Sequence, residues 1–232
     1  VQPVSESSFD AWIKLYRRDA NSDNCQISYY LKGELVSLLL DLLIRSRHGN
    51  ERSLDDVMRI MWQEFGQPEI GFTPEQLQAV IESVAQIELD DFFARYVDGT
   101  EELPFNEYLE SFGLQLKSDS PEDQPPYLGL VAKTENGREI VKFVEVESPA
   151  QLAGVDVGDE LLALEGLRVT GEQLSDRLKD YQPGDTIELT VFHQDQLQTV
   201  FATLALPRPS CYKVVAVEEP TPEQQRNFTG WL

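Results

Sequence analysis

The sequence predicts an α+β protein of two domains, a helical part followed by a β-rich one. Three observations predict this. Apolar residues recur every three or four positions over residues 1–114; a polar, proline-rich run follows; beyond it the apolar residues alternate. At about 150 residues per domain, 232 residues suffice for two cores. The expected division is a helical part at 1–114, a linker at 115–125, a β-rich domain at 126–206 and a tail at 207–232.

In the helical part, Ser7 or Ser8 can cap a helix through Tyr16, with Phe9, Trp12, Ile13 and Tyr16 at helical spacing. A second helix should run from Tyr29 to about Arg47. Its one polar stripe is Glu34, Ser37, Asp41 and Arg45, so it should be central, with Asp41 and Arg45 paired at i,i+4. Ser53-Leu-Asp-Asp opens a third helix, acidic in the first turn where the dipole favours negative charge, and Gly66 ends it. Thr73-Pro-Glu-Gln combines a cap, a proline at the first helical position and a box partner; that helix should reach about Ala85. Leu89–Tyr96 and Phe105–Phe112 close the series.

After the linker, Tyr127–Lys133 and Ile140–Val146 flank the turn signal Asn136-Gly137 and predict a hairpin. Ser148–Ala153 is a short helix ended by Gly154, and Gly158–Gly166 a strand running into a turn. Gln173–Tyr181 reads as helical. Ile187–Phe192 and Gln198–Leu206 alternate as strands about Gln194-Asp195, and the tail ends in a cluster at Phe228 and Trp231.

Composition excludes several functions. The net charge is −22, spread over both halves, so phosphate backbones and anionic lipid surfaces would repel the chain. No nucleic-acid or membrane role is expected, and the longest apolar run, Leu35–Ile44, is about half a membrane span. Cys25 and Cys211 lie in different halves and say nothing about compartment. His48 and His193 lie in different domains, so no H-E-x-x-H motif, thiol–imidazole pair or metal-ligand cluster is expected. The start has neither initiator Met nor signal-peptide pattern; a chain cut from a longer one is expected, with a cytoplasmic location as the default.

Tyr127-Leu-Gly-Leu, followed by Ser148-Pro-Ala-Gln-Leu-Ala-Gly-Val-Asp-Val-Gly-Asp-Glu-Leu-Leu-Ala-Leu-Glu-Gly, resembles a PDZ domain of the bacterial, protease-associated type. The resemblance implies peptide binding by strand addition, with Tyr127, Leu128, Gly129 and Leu130 receiving a peptide C-terminus. The helix Gln173–Tyr181 would form the other wall. If Gly184 aligns with the family's turn glycine, Leu174 and Leu178 enter the core and Gln173, Arg177 and Tyr181 face the groove. The plainer alternative makes Leu128 and Leu130 core residues beside an unused groove.

Ser28-Tyr-Tyr-Leu-Lys-Gly-Glu-Leu-Val-Ser-Leu-Leu-Leu-Asp-Leu-Leu-Ile-Arg, Ser53-Leu-Asp-Asp-Val-Met, Asp91-Phe-Phe-Ala-Arg-Tyr-Val-Asp-Gly-Thr-Glu-Glu-Leu-Pro and the closing Gly230-Trp231-Leu232 resemble the glycyl aminopeptidases. These are zinc metallopeptidases with a thermolysin-like catalytic domain and a PDZ domain. The resemblance implies a C-terminal portion whose zinc ligands and general base lie upstream, inactive alone, with the missing catalytic segment as its partner. Tyr30-Leu-Lys-Gly matches the Tyr-x-Lys-Gly motif of related aminopeptidases and makes Tyr30 the oxyanion donor. By spacing alone, Tyr29 and Tyr30 are equally packing aromatics at a helix start. The alternative function is a non-enzymatic peptide-binding adaptor.

Overall fold

The computed structural model describes residues 2–118, 124–209 and 211–232. The chain divides into two units. One gathers Val1–Tyr16, Gln26–Lys117 and Lys213–Leu232, and the other Arg17–Cys25 and Ser118–Tyr212.

The first unit opens with α1 (Val4–Phe9), earlier and shorter than the sequence spacing implies. Pro3 sets the entry, and Ser7 is buried and donates to Ile27 O at 2.7 Å rather than capping. Phe9, Trp12 and Ile13 keep helical spacing yet stand exposed, Phe9 at 92% and Trp12 at 80%. A four-residue helix, α2 (Ser22–Cys25), belongs to the second unit.

The central helix α3 (Tyr29–Arg47) is capped by Ser28, whose hydroxyl accepts from Leu31 N at 3.3 Å. Asp41 accepts from Arg45 Nε at 2.7 Å and from Leu54 N at 2.9 Å, so the i,i+4 pair also ties down the next helix start. That helix, α4 (Leu54–Met61), has a complete capping box between Ser53 and Asp56 and runs on as one π-helical turn, Trp62–Gly66. Thr73 and Gln76 make the same box for α5 (Pro74–Ala85). Next come α6 (Asp90–Tyr96), α7 (Phe105–Leu109) and a 3₁₀ turn, Glu110–Phe112. Leu39, Leu40, Ile44, Val57, Ile81 and Phe92 are among the residues that close this core.

Residues 115–125 do not begin as a linker. Strand β1 (Leu114–Ser118) starts where Gly113, at φ +64°, turns the chain; residues 119–123 lie outside the described residues.

The second unit holds β2 (Leu130–Glu135), β3 (Arg138–Val144), α8 (Pro149–Leu152), β4 (Glu160–Leu164), β5 (Leu167–Arg168), α9 (Gly171–Leu178), β6 (Thr186–His193) and β7 (Gln196–Thr203). Its antiparallel sheet has the order β2-β3-β4-β6-β7, with β5 beside β4. Asn136 and Gly137 take φ of 52° and 80° in the first hairpin, the left-handed pair such a two-residue turn requires. Val141, Leu161, Ile187, Leu189 and Val191 form the center of the core. In this order β2 is an edge strand.

The stretch from residue 207 is not a loose tail. Strand β8 (Tyr212–Ala216) pairs with β1, and α10 (Pro222–Trp231) is part of the first unit. Buried Asn227 donates to Ser111 O at 2.9 Å, and Trp231 meets Phe112 edge-on at 5.8 Å. Among the described residues no helix is long and apolar enough to cross a membrane.

Phe112 is fully buried where α7 and α10 meet. Phe112→Ala should destabilise the first unit by about 3–5 kcal/mol. Urea unfolding followed by far-UV circular dichroism measures it; a loss below about 1 kcal/mol would mean that α10 contributes little to that core.

Candidate functional site

The second unit carries a cleft of about 630 Å³ between edge strand β2 and helix α9. One wall is the chain from Tyr127 to Ala132; the other is Gly171, Leu174, Ser175 and Leu178. Phe143, Glu145 and Arg208 also border it.

The backbone around Gly129 leaves hydrogen-bonding groups open. Tyr127 exchanges two hydrogen bonds of 3.0 Å with Ala205, and Leu128 O accepts from Ala150 N at 2.9 Å. Glu145 N donates to Gly129 O at 2.8 Å while Leu130 lies opposite Val144. That register makes Leu130–Val144 a non-hydrogen-bonded pair, so the N–H of Leu130 points away from β3. Among the described residues the N–H groups of Leu128 and Gly129 have no acceptor. Three neighboring donors therefore lie unpaired at the head of an open strand edge, an arrangement suited to an anion and an extended peptide.

Two glycines set the shape. Gly129 has φ +83°, and a Cβ there would lie 2.2 Å from the Cβ of buried Ser148. Gly171 brings the start of α9 against β2, where a Cβ would lie 2.1 Å from Ala132 O. Its N–H donates to Glu139 at 2.8 Å, and this bond, with that from Thr134, holds the Glu139 carboxyl below its usual range.

Leu128 and Leu130 line the cleft; Leu128 is also core, and Leu130 packs against it. Gln173, Arg177 and Tyr181 do not line the cleft. The helix begins at Gly171 under a Thr170 cap and ends at Leu178, so Tyr181 lies beyond it. At about 100° per residue, positions 171, 174, 175 and 178 share one face and 173 and 177 lie on another. Arg177 and Tyr181 border a separate small hollow with Leu164, Leu167 and Val169. The i, i+3, i+4, i+7 spacing of 171, 174, 175 and 178 was the available signal. Arg208 had none, because it lies past the last strand of the repeating pattern.

In the first unit, Tyr30 lies in the first turn of α3 with its side chain open to solvent, at 59% exposure. Its hydroxyl is 2.9 Å from that of Tyr16, and its ring lies 4.1 Å from that of Tyr29. The hydrogen bonds with Tyr16, and next with Tyr29, lower the Tyr30 phenol below its ordinary value, while that with Tyr30 raises Tyr29. Sequence spacing does not separate the two tyrosines; the opposite directions of their shifts do. Among the described residues no three His, Cys, Asp or Glu side chains gather to hold a metal ion, so they do not fit a zinc site.

Residues 126–204 match the PDZ domain family, and the second unit contains a PDZ domain. Residues 1–36 match the M61 glycyl aminopeptidase family. Over 98% of its length the chain resembles an aminopeptidase N family protein from Idiomarina loihiensis, with a TM-score of 0.86 and 29% identity. It covers 40% of that protein. Shorter likenesses include an HtrA-type protease, AlgW with decapeptide (21% identity, 37% of this chain and 30% of that one, TM-score 0.34). A serine endoprotease from Yersinia pestis gives 26% identity over 35% of this chain and 29% of that one, TM-score 0.32. No match was found among curated proteins.

The Gly129 geometry changes what a substitution there would test. Gly129→Val strikes Ser148 before any ligand is present. It should lower the stability of the PDZ domain by more than about 1 kcal/mol, as side chains at strained positive φ do. Thermal unfolding of Gly129→Val beside Gly137→Ala, where nothing lies within 4 Å, separates crowding from φ alone. Equal losses would contradict the contact.

Proposed function

We propose that this chain is part of a zinc-dependent aminopeptidase that cleaves peptides from the N-terminus, and that its PDZ domain receives peptide C-termini. The observation carrying the first half is the likeness to the aminopeptidase N family protein over 98% of the chain. In this reading zinc, which would polarise the scissile carbonyl, is held by a segment outside the described residues. The exposed Phe9, Trp12, Ile13 and Tyr30 are the surface that segment would cover.

Tyr30 is the chain's own contribution to the chemistry. The attacked carbonyl becomes an oxyanion, and a phenol O–H donates a hydrogen bond to it without ionising. Its exposed hydroxyl, steadied by Tyr16, supports that role. In an enzyme that includes the metal-bearing segment, Tyr30→Phe should cut turnover about 10²–10³-fold and leave zinc content unchanged. Tyr29→Phe should do far less. Steady-state kinetics with a chromogenic aminoacyl substrate measures both, and unchanged turnover in Tyr30→Phe returns the residue to a packing role.

For the PDZ domain, the unpaired N–H groups beside edge strand β2 carry the reading. A peptide with a free C-terminus should bind at micromolar or weaker affinity and shift the amide signals of Leu128, Gly129 and Leu130. Its C-terminal amide should not. Amide shifts confined to the first unit would sink this assignment.

A further inference from the structure

The mouth of the PDZ cleft carries one pair of opposite charges. Among the described residues lining it, Arg208 is the one cation and Glu145 the one anion. The Arg208 guanidinium lies 4.1 Å over the center of the Tyr127 ring, with Nη1 3.4 Å from the phenol oxygen, and it pairs with Glu145. The Tyr127 hydroxyl donates to the same carboxylate. Burial, followed by that hydrogen bond, pushes the Tyr127 phenol up to about 12, so it remains a donor at neutral pH.

This cluster adjoins the unpaired donors in the chain. Tyr127 precedes Leu128, and Glu145 N holds Gly129 O. The Arg208 side chain, 52% exposed, stays open to solvent. A ligand carboxylate on the N–H groups of Leu128, Gly129 and Leu130 would meet a cation already engaged by an internal carboxylate.

We propose that Arg208 and Glu145 form a charge-balanced gate: Arg208 is the cation that recognizes the ligand's terminal carboxylate, and Glu145 is the built-in competitor the ligand displaces. The inference rests on the reading of the cleft as a site for peptide C-termini and deepens it. The two residues then have opposite signs of effect. Removing the Glu145 charge frees Arg208 and removes a repulsion, so binding tightens. Removing the Arg208 charge leaves Glu145 uncompensated at the mouth, so binding weakens. A purely structural ion pair would make both substitutions act in the same direction.

The test uses the full chain and fluorescein-labelled hexapeptides ending in Leu, Ile, Val or Phe, each as free acid and as amide, read by fluorescence anisotropy. Arg208→Gln should weaken free-acid binding about tenfold, the scale of a lost charge-assisted hydrogen bond. Glu145→Gln should tighten it about threefold or more, since the amide still accepts from Tyr127 while its charge is gone. Arg208→Lys should keep most of the affinity, and amides should respond to none of these changes. Thermal unfolding of each variant monitors the fold. If the parent chain binds free acids but both Gln variants match it within about twofold, the gate is wrong and peptide binding stands. If both variants lose affinity in step with lowered unfolding temperature, the pair is structural and the gate is overturned. If no free acid binds to the parent chain or any variant, the peptide reading itself falls, and the gate with it.

Discussion

The PDZ domain depends on one constraint, the approach of the first turn of α9 to edge strand β2. Gly171 stands so near Ala132 O that a methyl group would collide with it, and its N–H is held by Glu139 from the neighboring strand. Fixed there, α9 lies alongside β2 without pairing with it. The N–H of Leu130 is left pointing outward, and Leu174 and Leu178 serve at once as core and as cleft wall. An open strand edge is usually a liability that proteins cover or charge. Here a helix partly shelters it, and what remains is the open cleft between β2 and α9.

Much of this was legible in the sequence, and the parts that were not have physical reasons. Ser53 and Thr73 marked helix starts because their side chains accept hydrogen bonds from first-turn N–H groups that have no partner within the helix. Asn136-Gly137 marked its hairpin because two successive left-handed residues are needed there. For α9, aligning Gly184 with the family's turn glycine places Leu174 and Leu178 in the core, where they are, but opposes that face to the groove, whereas the same two leucines also line the cleft. Thr170, whose hydroxyl accepts from Gln173 N at 3.3 Å, is the cap that fixes the true phase. Phe9, Trp12 and Ile13 had the spacing of a core face yet lie exposed; periodicity reports that a face is apolar, and what covers it is another matter.

The tyrosines show the same division between local and distant information. Tyr29 and Tyr30 are adjacent and chemically identical in the sequence. Tyr16, fourteen residues from Tyr30, brings its hydroxyl to 2.9 Å from that of Tyr30, and the contacts among the three phenols lower Tyr30 and raise Tyr29. Such a bond orients a phenol and biases which oxygen holds the proton, and it arises from the fold of residues 10–16 rather than from the helix that carries Tyr30. Glu145 and Arg208 likewise become a pair only when the segment after β7 returns past Tyr127.

The overall charge gives that pair its meaning. A chain of net charge −22 is a poor host for a carboxylate ligand if its field is taken as a whole. Exposed charges more than about 10 Å away are largely screened at ordinary ionic strength, so the groups at the mouth of the cleft decide. There, on the proposed reading, the recognition elements would be backbone N–H groups, which carry no net charge, and a guanidinium already balanced by Glu145. An unbalanced arginine at this place would attract any acidic segment, including the chain's own abundant carboxylates. Balanced, it would reward only a ligand whose carboxylate also reaches the backbone donors and whose last side chain fills the apolar cleft. On the proposed reading, selectivity would follow from meeting three demands together rather than from the strength of any one.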